Sequence, residues 1–206
     1  MRARTIARAA ATAGAALAAY SGVLAATRPW HRRWGATDHE IAQSLSGDEL
    51  ADGVTANHAI TIHAPIEEVW PWLVQIGQDR AGFYSYTWLE NLVRAGIHNS
   101  NAIVSEWQTI NDGDFVRLAS KEVYGDRPLL RVSHVHPGRS FVLEGWGEFV
   151  LRPVDNQTTR LLIRSHGVKR SPLMKVFCFL FMDPAHFIME RGMLRGIKKR
   201  AERNAS

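Results

Sequence analysis

The chain holds a single cysteine in 206 residues, so no internal disulfide can brace it. Cys178 lies inside the apolar run FCFLF, the setting of a buried, inert thiol. There is no HExxH or CxxC to hold a metal and no GxSxG elbow to expose a serine nucleophile. Gly145-Trp146-Gly147 lacks the strand–turn–helix setting of a dinucleotide fingerprint and reads as a hairpin turn or a bulge. No cofactor is implied, and no internal repeat recurs. Acidic residues are missing from positions 1–33, which carry six arginines, and positions 191–206 hold six Lys or Arg against Glu202 alone. The 157 residues between have 13 basic and 19 acidic side chains, so the formal net charge of +5 hides an acidic body with basic ends. Nucleic-acid binding needs a basic face on the domain itself, and this distribution argues against it. A membrane surface suits the basic ends better.

What is present begins with AAATAGAALAAYSGVLAAT, residues 9–27, nineteen positions without a charge. That is long enough for a transmembrane helix, although the run is Ala-rich and weakly apolar. Val23-Leu24-Ala25 is also an acceptable small-residue cleavage site, so a secreted protein freed from a signal peptide is the rival. RPWHRRW (28–34) sets Trp30 and Trp34 among arginines, the mixture found at a bilayer interface, and favours a retained anchor. Three arginines flank the run on each side, so its orientation is not legible. Residues 1–33 are thus expected to be an anchor or signal segment, 34–56 a polar linker with at most a turn of helix, and 57–203 the domain.

Within the domain, HAITIHA (58–64) alternates as a half-buried strand. Pro65 opens a helix with Glu67 and Glu68 in its first turn, ending at Gly77, with a kink expected at Pro71. YSYTWLENLVRAG predicts a second helix to Gly96, and a loop follows. Between Asp112 and His166 the period falls to two in DFVRLA, LLRVSHV, SFVLEGW, EFVLRPV and RLLIRSHG, separated by turn sequences. LMKVFCFLFM, ten residues, is too short to span a bilayer. Asp183-Pro184 then supplies the cap and first position of a final helix. This order is that of an α+β domain whose curved antiparallel sheet is covered by its terminal helix.

The stretches ITIHAPIEEVWPWLVQIGQDRAGFYSYTWLENL, IHNSNAIVSEWQ and HFIMERGMLRGIKKRAE resemble the START-like (SRPBCC) superfamily of polyketide cyclases and lipid-transfer domains, in a membrane-associated bacterial branch. The resemblance covers about residues 34–202. It implies a helix-grip fold with a ligand cavity between the sheet and the C-terminal helix. It does not choose among carriers, enzymes and protein-binding modules, since one fold serves many functions.

GFYSYTWLEN (82–91) packs Phe83, Tyr84, Tyr86 and Trp88 together, three with polar tips that need a partner if buried. They are either ordinary core or the wall of that cavity. His98 and Asn99, in the loop after the second helix, are turn formers or contacts to a ligand head group at the cavity mouth. His134 and His136 share a strand face, but no third ligand stands at metal spacing, and a solvated face is the simpler reading. Glu144 and Arg164 lie mid-strand among apolar neighbours, either paired or turned to water. Trp146 sits in the glycine turn between them.

On a helical wheel Phe187, Met189, Met193, Leu194, Gly196, Ile197 and Ala201 share one half of the last helix, and Glu190 falls among them. A carboxylate there must be paired, protonated or reached by water. It is either in a salt bridge to Arg131 or Arg164, or the polar anchor of the cavity. The expected function is binding or carriage of a lipophilic small molecule at a membrane. The alternatives are a cyclase-like or hydratase-like enzyme and a protein-interaction module.

Overall fold

The computed structural model describes residues 2–204. A long helix, α1 (Arg2–His31), precedes the domain. A short helix α2 (Asp38–Ala42) and a 3-10 turn (Ser46–Leu50) lead into strand β1 (Val54–Ile62). Helices α3 (Ile66–Val74) and α4 (Thr87–Leu92) follow, then β2 (Phe115–Arg117), a one-turn α5 (Lys121–Tyr124), β3 (Leu129–His136), β4 (Ser140–Leu143), β5 (Gly147–Asp155) and β6 (Thr158–His166). The chain ends in α6 (Pro172–Phe177), a π turn (Cys178–Met182) and α7 (Asp183–Asn204). The six strands form one antiparallel sheet in the order β1-β6-β5-β4-β3-β2.

The inner sheet face carries Ile62, Phe141, Leu143, Phe149, Leu161 and Ile163, closed over by Val69, Trp72 and Leu73 of α3 and by Met193, Leu194, Ile197 and Ala201 of α7 in one buried cluster. Burying each large apolar side chain contributes about 1.5–3 kcal/mol, so this layer dominates the stability. The protein is an α+β helix-grip domain, with the long C-terminal helix gripped by the sheet.

Residues 34–56 do more than link. Thr37 caps α2 and shares a capping box with Glu40. Glu40 then pairs with Arg160 at 2.7 Å. Burial alone would raise the Glu40 carboxyl, but Arg160 and the Thr37 hydrogen bonds bring it down to about 2. Arg164 is buried, donating to Asp48 at 2.7 Å, to Asn57 at 2.8 Å and to the Glu40 carbonyl at 2.8 Å. The segment therefore covers the outer sheet face, where Ala36 and Leu45 pack on Ala59, Val150 and Leu162. Its start is tied in as well: the Arg32 and Trp34 carbonyls accept from Asn57 and Ala59 of β1. The boundary expected at residue 33 thus falls inside ordered contacts.

The aromatic stretch departs from a regular helix. Tyr84 adopts a left-handed φ of 58°, and only Thr87–Leu92 coils. Asn99 holds this bend, accepting from the Tyr84 N–H at 2.6 Å and donating to the Ser85 carbonyl and the Thr87 hydroxyl. Within α4, Glu90 is buried with neither carboxylate oxygen partnered, and burial pushes its pKa up to about 7. The folded state then holds a proton that the unfolded chain releases near pH 4.5, so stability is lost as pH rises from about 4.5 through about 7. Glu90→Gln is expected to raise stability at pH 8 by about 2 kcal/mol and to change little at pH 4, measured by urea unfolding. An equal effect at both pH values would show that the carboxyl is already neutral or solvated.

Candidate functional site

Proline 184 shapes the site's floor. It lacks an N–H, so the carbonyl four residues back, Leu180, loses its helical donor. The helix passes this point as a π turn without breaking, so the new helix expected at Asp183 is a continuation of one already running. The Tyr20 hydroxyl of α1 donates to the freed Leu180 carbonyl at 2.7 Å. Arg28 of α1 pairs with Asp183 at 3.1 Å and stacks over Phe179. Trp30 and His31 pack on Phe187. Positions 20, 28 and 30 of α1 thus meet 180, 183 and 187 in the same direction, and α1 is docked beside the start of α7.

One turn further on, Glu190 is fully enclosed. Its Oε1 meets His58 Nδ1 at 2.9 Å, and its Oε2 meets His186 Nε2 at 3.2 Å. The Trp146 indole N–H donates to Oε2 at 3.3 Å and the Ser165 hydroxyl to Oε2 at 3.2 Å. His58 Nε2 lies 2.7 Å from the His31 carbonyl. A carboxylate faces one ring nitrogen and a carbonyl the other, and both can only accept, so both nitrogens must donate and His58 is an imidazolium. Burial lowers the His58 pKa, but the Glu190 hydrogen bond and charge outweigh it and the net shift is upward. Burial likewise raises Glu190, and His186, His58 and Trp146 bring it below its ordinary value. The result is a buried ion pair, His58 with Glu190, whose second carboxylate oxygen is shared with the partly exposed His186.

A pocket of about 110 Å³ opens in front of this pair, between α1, the Thr55–Ala56 edge of β1 and the first turn of α7. Its lining combines the apolar Leu24, Phe179 and Phe187 with the cationic Arg28, Arg32 and Arg170, and Asp183 is the acid among them. His58 and His186 stand at the back. The Arg28 Nε is buried and unpartnered, a donor with no acceptor supplied by the protein.

The residues singled out from the sequence disperse. Glu190 and Trp146 meet at the centre, and Phe83 packs on the Trp146 ring at 5.7 Å. Tyr84 is buried, its hydroxyl accepting from Gln75 at 2.9 Å. Tyr86 is half-exposed, and Trp88 is 71% exposed on α4, away from the pocket, because the bend at Tyr84 turns that helix outward. Asn99 spends its polar atoms on the backbone bend, and His98 is on the surface. Glu144 pairs with Arg131 at 3.1 Å at the surface, while Arg164 is held by Asp48, so the two do not meet and neither arginine reaches Glu190. Met193 is core, and the Met189 carbonyl accepts from Ser85. A bulge between Ser133 and His136 breaks the shared face expected of His134 and His136. Among the described residues no group of three His, Cys, Asp or Glu is placed to hold a metal ion.

No protein-family model and no curated protein matches the chain. Solved structures do. A conserved protein from Geobacillus kaustophilus aligns at TM-score 0.40 and 13% identity, over 73% of this chain and 96% of its own. The ZhuI aromatase/cyclase from a Streptomyces species aligns at TM-score 0.40 and 18% identity, over 73% and 94%. A polyketide-cyclase-like protein from Corynebacterium glutamicum aligns at TM-score 0.30 and 16% identity, over 72% and 87%. At these values the likeness says nothing of what the pocket holds.

His58, His186, Arg28 and Ser165 belong to the site without having been singled out in the sequence. A signal existed for two of them. His58 has the same strand parity as Ile60 and Ile62, which places it on the inward face. His186 precedes Glu190 by four, one helical turn.

Proposed function

We propose that the protein binds a lipophilic small molecule with an oxyanion head at a membrane surface, the head entering the pocket beside the His58–Glu190 pair. The observation that carries this reading is the pocket lining, which sets the cations Arg28, Arg32 and Arg170 beside the apolar Leu24, Phe179 and Phe187. A volume of about 110 Å³ suits a carboxylate or phosphate head and not a whole lipid chain, which would lie along the apolar lining toward α1. The α1 stretch Arg8–His31 is apolar and long enough to be an anchor or a signal sequence. Its Tyr20 and Leu24 are docked on the domain, which favours retention, because cleavage after Ala25 would remove both.

The test is titration calorimetry of the full-length protein in mild detergent, with laurate, dodecyl phosphate and neutral dodecanol as probes. Hydrogen bonds to charged groups contribute about 1.5–3 kcal/mol, so Arg28→Gln is expected to weaken both anions about 10–100-fold and leave dodecanol unchanged. Equal binding of all three probes, or anion affinity unmoved by Arg28→Gln, overturns the reading.

A second reading, acid–base catalysis of the cyclase or hydratase kind, is favoured by one contact. His186 lines the pocket and leans on Glu190, an orientation that lets a histidine move a proton at its other ring nitrogen. Turnover of a bound polyketide-like substrate that disappears in His186→Gln while binding persists would select it.

A further inference from the structure

We infer that residues 172–182 make a second membrane contact, a short apolar helix lying in the bilayer surface beside the anchor α1. The inference rests on the membrane half of the reading above. Positions 171–177 are exposed without interruption, and seven consecutive residues at 100° each pass right round a helix, so no side of α6 rests on the domain. Yet the residues exposed are Leu173 at 81%, Met174, Val176 and Phe177, followed after the π turn begins by Phe181 and Met182, with Lys175 as the sole charge. A helix apolar on all sides is buried in a core or in a membrane, and one in water keeps a polar face.

Length decides the mode. Eleven residues at 1.5 Å each reach about 16 Å, half of a 30 Å hydrocarbon core, so this segment lies at the interface and does not cross. The window Pro172–Arg203 passes for a span by hydropathy, but its α7 half is buried under the sheet through Met193, Leu194, Ile197 and Ala201 and is not available to lipid.

The choice of lipid as occupant comes from continuity and charge. The exposed apolar residues Leu17, Tyr20 and Val23 of α1 adjoin the segment at the Tyr20–Leu180 hydrogen bond, so the two apolar surfaces join. Arg28, Arg32 and Arg170 line the pocket between them, the kind of cationic cluster that attracts anionic head groups at about 1 kcal/mol per basic residue. A second copy of the chain would bring the same basic residues together and is disfavoured by charge. Inserted, α6 and α1 hold the pocket mouth at head-group level.

Full-length protein reconstituted in phosphatidylcholine–phosphatidylglycerol vesicles tests this by nitroxide accessibility. Leu173→Cys, Phe177→Cys and Phe181→Cys are each labelled in a Cys178→Ser background, with Val123→Cys on exposed α5 as the water-facing control. The expected result is preferential collision with oxygen over a water-soluble nickel relaxant at the three sites, at a depth of about 5–10 Å, and water-like values at 123. Three sites as open to nickel as 123, in protein that stays with the vesicles, overturn the inference and leave the anchor intact. Dipolar broadening that vanishes on dilution with unlabelled protein would assign the patch to a protein contact and also overturn it. Protein that does not stay with vesicles at all defeats the anchor and the inference together.

Discussion

Replacing Glu190 with alanine is expected to cost about 3–5 kcal/mol, because it strands the His58 imidazolium in the core without its counter-charge. The loss is greater than the pair itself contributes. His58 would keep only the His31 carbonyl, and Trp146 and Ser165 would lose an acceptor at the same time. The pH dependence identifies the cause. The folded pKa of His58 lies above 6.5, so its stabilisation is complete below 6.5 and is lost as pH rises through that higher value. The folded pKa of Glu190 lies below 4.5, so its share is present above 4.5 and is lost as pH falls through the lower value. Wild-type stability from this pair is therefore greatest at mildly acidic pH. In Glu190→Ala the lone histidine is more easily neutralised, so the penalty should shrink toward alkaline pH, where His58 needs no partner. Urea unfolding of both proteins at about pH 5.5 and about pH 9 measures it. An equal penalty at the two pH values would mean that His58 is neutral and that the site is a hydrogen-bond network without an ion pair.

The two halves of that pair were each readable before the structure, but their meeting was not. Glu190 stands out as an acid on the apolar half of the last helix, and His58 shares its parity with Ile60 and Ile62 in a strand. They are 132 positions apart, and only the curl of the sheet around α7 brings Nδ1 within 2.9 Å of the carboxylate. Strands β2 to β6 were legible because their period of two and their turn residues are local properties. The outer cover was harder. The polar, acidic residues 34–56 look like a linker until the half-buried Arg160 and the buried Arg164, more than a hundred positions on, supply partners for Glu40 and Asp48. The aromatic run 83–88 misleads for the opposite reason. Its composition suggests one continuous wall, but the left-handed residue at Tyr84 sends Phe83 and Tyr84 inward and Trp88 out, and that bend is set by Asn99 and by the surface of α7. The cationic lining of the pocket draws on α1, on Arg32 just beyond it and on the loop before α6, so no single stretch of sequence announces it.

The same bend carries the second large effect, at Gly196. In an exposed helix, Gly→Ala adds about 1 kcal/mol of stability. At Gly196 the sign should reverse, because a Cβ there would sit 2.0 Å from the Tyr84 carbonyl oxygen and 2.8 Å from its Cβ. The obstacle is backbone already held in a left-handed conformation, so it cannot step aside as a side chain can. Relief requires lifting residues 84–86 off α7, which would break the Ser85–Met189 and Gln75–Tyr84 hydrogen bonds and part the Arg200 guanidinium from the Tyr84 ring. Overpacking of this kind costs about 1–3 kcal/mol before those losses are added, so Gly196→Ala is expected to destabilise by about 3 kcal/mol or more. Gly192 and Gly22 provide a graded comparison. A Cβ at Gly192 meets the Ser85 hydroxyl and the Tyr86 ring at 2.8 Å, which are side-chain atoms able to turn, so Gly192→Ala should cost about 1 kcal/mol. A Cβ at Gly22 of α1 meets nothing within 4 Å, and Gly22→Ala should be neutral or slightly stabilising. Thermal unfolding of the three variants should give the order Gly196, Gly192, Gly22 from least to most stable. If Gly196→Ala melts at or above the wild type, residues 84–86 do not rest on α7, and the bend that turns Trp88 outward is held by Asn99 alone.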